Sequence, residues 1–280
     1  MEFINKSNSA AANDIIDRYL TWAKNHHCEE SNLYSSLGEH KLGERSCKDL
    51  LIYNVLLPEQ HNRCCYCMRR LHDGVGITIE HIIPQSISRL EDLNRYFEKG
   101  LNGLDQSKLC LTTDFFSNNC VFPPYPLKVA YYNFAASCHS SDHCNNYRQN
   151  QHIEPLFLMP NINSEVLYDP ISGEGTWHND PINQDVNSLE LPTLEKVGLN
   201  NSTLKIYRAF WGYLYRHNIS YDDVASNNRA ILLYDLLGDI LEYDNNVDSD
   251  MLTAIINLQK DLYWNRIRDY DYFFQWFSSH

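Results

Sequence analysis

The spacing of apolar residues predicts helices at both ends of the chain. In residues 8–27, apolar side chains recur every three or four positions after a polar start that suits a helix N-cap. Residues 48–60 have the same spacing, and Pro58 should end this second helix just before the first cysteines. Three further stretches after residue 201 have helical spacing, so 201–280 is predicted to be a C-terminal helical region.

The middle of the chain has the shorter periodicity of β-strands. In ITIEHIIPQS, residues 77–86, alternating apolar residues predict a strand that carries Glu80 and His81 at its end, before Pro84 breaks it. Between 156 and 200 the composition shifts to Asn, Asp, Gly and Pro, and EVLYD followed by DPISGEG predicts a hairpin and a linker. The polar stretch at about 85–130, which ends in VFPPYPLK, is interpreted as an insertion.

These patterns divide the chain into four segments and predict an α+β fold. The segments are an N-terminal helical segment at 1–60, a core at 61–155 that contains the insertion, the hairpin and linker at 156–200, and the helical region at 201–280. The hydrophobic fraction of 43% is typical of a globular protein, so we expect a folded core.

The apolar runs are too short to span a bilayer, because none approaches the roughly 18 residues that a membrane helix needs. The polar start MEFINKSNS also lacks the apolar region of a signal peptide, so we expect a cytoplasmic protein that does not enter a membrane. In the cytoplasm the nine cysteines should stay reduced, which favours metal binding over a disulfide framework.

Four of the cysteines form two groups with the spacing of metal ligands. Cys64 and Cys67 make a C-x-x-C pair, and Cys138 and Cys144 follow about seventy residues later. Structural zinc prefers a closed tetrahedral site of four such soft ligands. The sequence therefore predicts a structural zinc ion bound by these four cysteines.

The second cysteine pair leaves its ligands open. Five residues separate its two cysteines rather than two, and His139 and His143 lie in this interval, so either imidazole could replace one cysteine. Cys65 is interpreted as a bystander between the first two ligands. The alternative is that the cysteines are buried and act as small apolar side chains. This alternative is preferred for the ungrouped cysteines, which are Cys28, Cys47, Cys110 and Cys120.

Glu80 and His81 are the candidate catalytic pair. Hydrolysis of a phosphodiester requires activation of water near neutral pH and neutralisation of charge on the phosphate and the leaving oxygen. A histidine near its ordinary pKa can deprotonate the water, and a carboxylate can hold a divalent cation. An isolated Glu–His pair is more often a structural surface feature, but this pair lies between the two cysteine groups.

Two asparagines and an arginine lie at regular positions around the second cysteine pair. The stretch YYNFAASCHSSDHCNNYRQN places Asn133 ahead of the pair, Asn145 directly after its last cysteine, and Arg148 three positions later. Together with the Glu–His pair, these residues resemble the motif of HNH endonucleases. That motif contains an acid–His pair, a middle Asn, and a closing His or Asn after the last cysteine.

The HNH resemblance implies a fold and a set of roles. The fold is a ββα-metal core, stabilised by the zinc-binding cysteines, within a largely helical protein, and its helix should begin near residues 144 and 145. Because Asn146 follows Asn145 directly, either asparagine can be the metal ligand. The implied roles are a general base for His81, catalytic Mg²⁺ or Mn²⁺ ligands for Glu80 and Asn145, orientation of the loop or the histidine for Asn133, and a phosphate contact for Arg148.

A longer pattern resembles the PtuB-type HNH nucleases of Septu and retron-linked antiphage systems. It comprises RCCYC, IEHIIPQS, NFAASC, HCNNYR, EVLYDPISGEG and LEKVGLNNSTLKIYR, and it covers residues 61 to about 208. This resemblance implies a nuclease that cleaves DNA or RNA in a hetero-complex with a PtuA-type ATPase. Retron-linked systems add a reverse transcriptase and its reverse-transcribed DNA. The chain departs from the pattern in its long insertion, its wide second cysteine pair and an Arg where Lys is common.

The net charge bears directly on such a function. A formal charge of -13 and a pI near 5.3 oppose contact with a phosphate backbone. Either a local basic region meets the nucleic acid, formed by Arg63, Arg69, Arg70 and His72, or a basic partner holds it. The alternative function is a catalytically silent, zinc-stabilised adaptor that only binds a partner.

Overall fold

The computed structural model describes residues 1–73, 75–101, 103–113, 122–149, 151, 153–177, 179, 192–220 and 267–280. These residues combine helices with four two-stranded sheets, which confirms the predicted α+β class. The chain divides into two compact units, Met1–Tyr66 with Leu71–Asn163 and Cys67–Arg70 with Ser164–His280. Among the helices that the structure describes, none is long and apolar enough to cross a membrane.

Helices form the N-terminal part of the first unit, as the apolar spacing predicts. In chain order the elements are α1 (Ser9–Asn25), α2 (Leu33–Glu39), β1 (Lys41–Leu42), β2 (Arg45–Ser46), α3 (Cys47–Leu51), a π-helical turn (Ile52–Leu56) and α4 (Leu57–Glu59). α1 packs against α3 and buries Ile16 and Leu20. The helix predicted at 48–60 is thus continuous through α4, and the Ser46 hydroxyl caps its start by accepting the Asp49 backbone N–H at 3.0 Å.

An antiparallel strand pair followed by a short helix forms the centre of the first unit. The elements from residue 77 onwards are β3 (Ile77–His81), α5 (Leu90–Phe97), β4 (Leu109–Cys110), β5 (Tyr125–Pro126), β6 (Phe134–Cys138), α6 (Cys144–Arg148) and α7 (Ile162–Glu165). β3 pairs with β6 so that Ile77 is opposite Cys138 and His81 is opposite Phe134. The strand predicted to end in Glu80 and His81 is therefore confirmed. The helix after the last cysteine also begins where the sequence predicts.

The stretch interpreted as an insertion contributes to this unit. Its helix α5 buries Leu93 and Tyr96, and its strands β4 and β5 pair in parallel. The N-terminal helical segment belongs to the same unit as the central strands. The four segments predicted from the sequence are thus grouped into two units.

The second unit contains the predicted hairpin and the C-terminal helices. Its elements are β7 (Val166–Tyr168), β8 (Gly175–Trp177), α8 (Thr193–Lys196), α9 (Ser202–Arg216) and α10 (Tyr272–Ser279). β7 and β8 pair antiparallel, and the Asp169 carboxylate closes their turn by accepting the backbone N–H groups of Ile171 and Ser172. α9 confirms the first predicted C-terminal helix and packs against α10. The second predicted helix, at 222–243, lies outside the described residues.

Candidate functional site

The four predicted zinc ligands come together in the structure. The Sγ atoms of Cys64, Cys67, Cys138 and Cys144 all lie within 4.8 Å of one another, and the four side chains are buried. The Cys64 and Cys144 sulfurs are 3.7 Å apart. Zinc–sulfur bonds of about 2.3 Å in a tetrahedron place neighbouring sulfurs about 3.8 Å apart. The donor set and its spacing therefore fit a structural metal ion such as zinc.

Neither histidine of the second pair belongs to this four-sulfur group. His143 Nδ1 lies 3.1 Å from the Cys144 sulfur, so the imidazole is a hydrogen-bond neighbour of that thiol. His139 packs its side chain against Gly76, and its backbone N–H donates to the Gly76 carbonyl at 2.7 Å. Four thiols complete a tetrahedral site without an imidazole. The four-cysteine set is therefore the one that the geometry favours, and Cys65 lies outside it.

His81 is a buried, neutral imidazole with an assigned tautomer. Its Nε2 lies 3.0 Å from the Lys128 carbonyl, an acceptor, and therefore carries the hydrogen. Its Nδ1 then accepts the Gln85 side-chain amide at 3.1 Å. The rings of Tyr34 and Phe134 meet the imidazole edge-on, with centroids at 4.6 and 5.0 Å.

Burial changes the acid–base properties of this histidine. It lowers the pKa of His81 to about 4, opposed by the hydrogen bond to the Lys128 carbonyl and reinforced by the charge of Lys48. The sequence interpretation assumed a histidine near its ordinary pKa, and this assumption is wrong. At neutral pH the imidazole is uncharged and its lone pair is on Nδ1, which is the form that a general base requires.

Glu80 has one satisfied and one unsatisfied carboxylate oxygen. Its Oε1 accepts the Tyr66 hydroxyl at 2.8 Å and forms an ion pair with Arg148. Its Oε2 is buried and has no hydrogen-bond partner among the residues that the structure describes. Leaving a buried carboxylate oxygen unpaired is costly, and a divalent cation would satisfy it. Glu80 therefore fits one ligand position for such a cation.

Arg148 is directed into the interior and not towards the surface. Only 1% of the residue is exposed. Besides Glu80, its guanidinium donates to the carbonyls of His81 at 3.0 Å, Ile82 at 3.3 Å and Gln151 at 3.0 Å. In this arrangement it fixes the end of β3 and cannot meet a phosphate at the surface. The expected phosphate contact would require the side chain to leave all of these partners.

Asn133 holds the loop that follows His81. Its Oδ1 accepts the Ile83 backbone N–H at 2.6 Å, and its Nδ2 donates to the carbonyls of Ile83 at 3.0 Å and Leu127 at 2.9 Å. The side chain is fully buried, so it touches no substrate. The HNH resemblance implies two possible roles for Asn133, to orient the loop or to orient the imidazole. These contacts match orientation of the loop.

Asn145 connects α6 to β3 beside Glu80. Its Nδ2 donates to the Thr78 hydroxyl at 3.1 Å and to the Ile79 carbonyl at 3.3 Å. These bonds use only the amide nitrogen, so its oxygen keeps its acceptor capacity. These contacts place Asn145 against β3, and they therefore favour Asn145 over Asn146 as the candidate ligand.

Three side chains around the pair were missed by the sequence interpretation. Gln85 contacts His81 Nδ1, Tyr66 binds Glu80, and Tyr34 covers the imidazole. Gln85 carries a signal in the sequence, because it lies four residues after the histidine in IEHIIPQS. Tyr34 carries none, since it comes from α2 and reaches the site only through folding.

The predicted basic region is partly neutralised. Within the second unit, Arg69 forms an ion pair with Asp269 at 2.9 Å, and Arg70 forms one with Asp271. Both carboxylates are buried, so the two positive charges are largely balanced.

Chemically, the site combines an imidazole lone pair with an unsatisfied carboxylate oxygen on one strand end. Comparison of the chain with family models, with curated proteins and with solved structures found no match. The function is therefore inferred from the chemistry of these residues.

Proposed function

We propose that this chain is a metal-dependent nuclease of the HNH class that hydrolyses phosphodiester bonds of DNA or RNA. The observation that carries the proposal is the pair at the end of β3. There, His81 has its lone pair on Nδ1, and Glu80 has a buried oxygen without a partner in the described part of the chain. The four-cysteine group, which fits zinc, supports the proposal because it fixes the end of β6 and the start of α6, the helix whose Arg148 contacts Glu80.

In the proposed reaction, a water molecule takes the place of the Gln85 amide at His81 Nδ1. The imidazole accepts a proton from this water while the water oxygen attacks phosphorus. The bond from phosphorus to the leaving sugar oxygen breaks, and that oxygen takes a proton from solvent. The Nε2–H bond to the Lys128 carbonyl keeps the ring orientation and helps the imidazolium to form.

Glu80 and Asn145 would hold the catalytic cation, Mg²⁺ or Mn²⁺. Carboxylate and amide oxygens are the ligands that these hard cations prefer. When bound, the cation supplies positive charge that stabilises the phosphate and the leaving oxygen. Arg148 and Tyr66 would keep the Glu80 carboxylate in position.

We also propose that the chain works with a basic partner, an ATPase of the PtuA type, in defence against phage. The formal charge of -13 supports a partner, because it repels the phosphate backbone. The ion pairs of Arg69 and Arg70 support it further, since they reduce the local basic region.

A cleavage assay tests the nuclease proposal. Wild type, His81→Ala and the control His217→Ala, which removes an exposed imidazole outside the candidate site, are incubated with labelled DNA and with total RNA. Each is assayed with and without Mg²⁺ and with and without the product of the neighbouring gene. We expect Mg²⁺-dependent cleavage that His81→Ala reduces by at least about 10³-fold and that His217→Ala leaves unchanged.

Bound zinc is measured in every variant to show that the fold is retained. The degraded pool then identifies the substrate as DNA or RNA. If wild type cleaves nothing under any of these conditions, or if His81→Ala cleaves equally well, the silent adaptor becomes the better account. The observation that favours the adaptor is that Glu80 Oε1 and His81 Nδ1 already have protein partners.

A further inference from the structure

The nuclease site needs a cation that can meet the substrate phosphate. Charge builds up on the phosphate oxygens during hydrolysis, and a positioned lysine or arginine stabilises it. Arg148 is buried in contacts with Glu80 and backbone carbonyls and does not offer this charge at the surface. Another basic side chain near His81 must therefore be considered.

α2 and α3 supply such a side chain on the aromatic face of His81. Tyr34 of α2 meets the imidazole at 4.6 Å and 77°. The ammonium of Lys48, on α3, lies over the Tyr34 ring at 5.1 Å from its centroid. The charge of Lys48 also contributes to the low pKa of His81, which places it within electrostatic range of the imidazole.

Lys48 is held in place but is not neutralised. Its stem passes close to Gly38, where an added Cβ would lie 3.6 Å from its Cδ atom. Other lysines of the first unit pair with carboxylates, namely Lys6 with Glu59, Lys99 with Glu154 and Lys128 with Glu30. In the described part of the chain, no carboxylate forms an ion pair with Lys48. A half-buried ammonium fixed by a ring and left without an anion is suited to bind one.

We propose that Lys48 binds the substrate phosphate next to His81. The inference rests on the proposed nuclease function and adds the N-terminal helices α2 and α3 to the site. Lys48 would act as a point charge on a non-bridging phosphate oxygen, with Tyr34 as its support. Lys128, whose carbonyl accepts the Nε2–H of His81, is a competing lysine, but its ammonium donates to the Glu30 carbonyl at 3.3 Å.

The test compares Lys48→Met with a matched lysine variant. Lys48→Met keeps most of the aliphatic stem, and Lys48→Arg keeps the charge. The control is Lys108→Gln, because Lys108 lies over the Tyr132 ring at 5.4 Å and makes the same kind of contact elsewhere. Cleavage is measured in the active protein, together with its partner if cleavage requires it. Binding of a labelled oligonucleotide is measured in the His81→Ala background over a series of salt concentrations.

We expect Lys48→Met to lower the cleavage rate by about 10²-fold. In the binding series it should reduce the salt slope of log Kd by about one, because one phosphate contact is lost. Lys48→Arg should retain at least about a tenth of the rate. Lys108→Gln should match wild type in both measurements.

The outcomes separate this inference from the nuclease proposal. If wild type neither cleaves nor binds nucleic acid, the nuclease proposal itself fails. If wild type cleaves and Lys48→Met behaves like Lys108→Gln, only the role of Lys48 is overturned. Should Lys48→Met lose zinc or unfold, wild-type lysines are labelled by reductive ¹³C-methylation and followed by NMR. The signal of Lys48 is identified as the one that is missing from the spectrum of Lys48→Arg. This signal must shift when the oligonucleotide binds, and an unshifted signal overturns the inference.

Discussion

At the level of single residues, the surroundings of Glu80 and His81 determine how these two candidate residues can act. Arg148 forms an ion pair with Glu80 inside the protein, although burying such a pair costs desolvation energy. Burial keeps His81 neutral, reinforced by the charge of Lys48 and against the hydrogen bond to the Lys128 carbonyl. A sequence names the two residues but contains no direct information on these partners. That is why the motif predicts which residues form the site while the pKa of His81 had to come from the fold.

The low pKa of His81 predicts a stability difference that depends on pH. The folded pKa is about 4, and the unfolded value is about 6.5. Between these values the unfolded chain binds more protons, so the contribution of His81 to stability is complete above pH 6.5 and falls as the pH decreases. We expect the free energy of unfolding of wild type relative to His81→Gln to fall by up to about 1.4 kcal/mol per pH unit below that point.

Urea unfolding of both proteins at pH 7.5, 6.5 and 5.5 measures this difference. The measurement is made without Mg²⁺ and with bound zinc verified at each pH. Other titrating groups contribute equally to the two proteins and cancel. A difference that does not change with pH would mean that His81 is solvated and titrates normally.

At the level of elements, periodicity predicted more of the structure than motif spacing did. The apolar spacing anticipated α1, the helix through α4, β3 and α9, and the turn residues anticipated the β7–β8 hairpin. The helical N-terminus was expected to lead into the core, but Tyr34 and Lys48 bring it to His81. Such long-range contacts depend on packing between α2, α3 and β3, and no local pattern encodes them.

The turn between β7 and β8 offers a test at this scale. Gly173 has a φ of +70°, and an added Cβ would collide with the Lys205 carbonyl on α9. Gly43 has a φ of +77° but open space around it. We expect Gly43→Ala to cost about 1 kcal/mol for its backbone conformation alone and Gly173→Ala to cost at least about 3 kcal/mol.

Thermal unfolding of the two variants provides the comparison, since both make the same chemical change at a left-handed glycine. The Tm of Gly173→Ala should fall clearly below that of Gly43→Ala. Equal Tm values would show that the turn can move away from the Lys205 carbonyl on α9 without loss of stability.

At the level of the whole molecule, metal binding by the cysteine group should contribute much of the stability of the fold. Structural zinc contributes folding energy because the unfolded chain lacks the assembled site. We expect Cys138→Ser to lose bound zinc and to lower the Tm by roughly 10 °C or more. Cys65→Ser is the matched control, because Cys65 is also buried but lies outside the four-sulfur group.

Metal analysis of the purified variants checks this prediction. Wild type and Cys65→Ser should each contain about one zinc ion per chain. Retention of zinc by Cys138→Ser would instead favour a ligand set that includes His143, whose Nδ1 lies 3.9 Å from the Cys138 sulfur.

The closeness of the sulfurs also has a practical consequence for handling the protein. Cys64 and Cys144 are 3.7 Å apart, whereas a disulfide bond measures about 2.05 Å. A shift of about 1.7 Å would therefore let oxygen cross-link them once the metal is gone. We therefore expect chain stripped of its metal in air to form this disulfide and to take up no zinc afterwards. Chain stripped under a reducing agent should keep its thiols and accept zinc again, because a bound ion would protect these cysteines from oxidation.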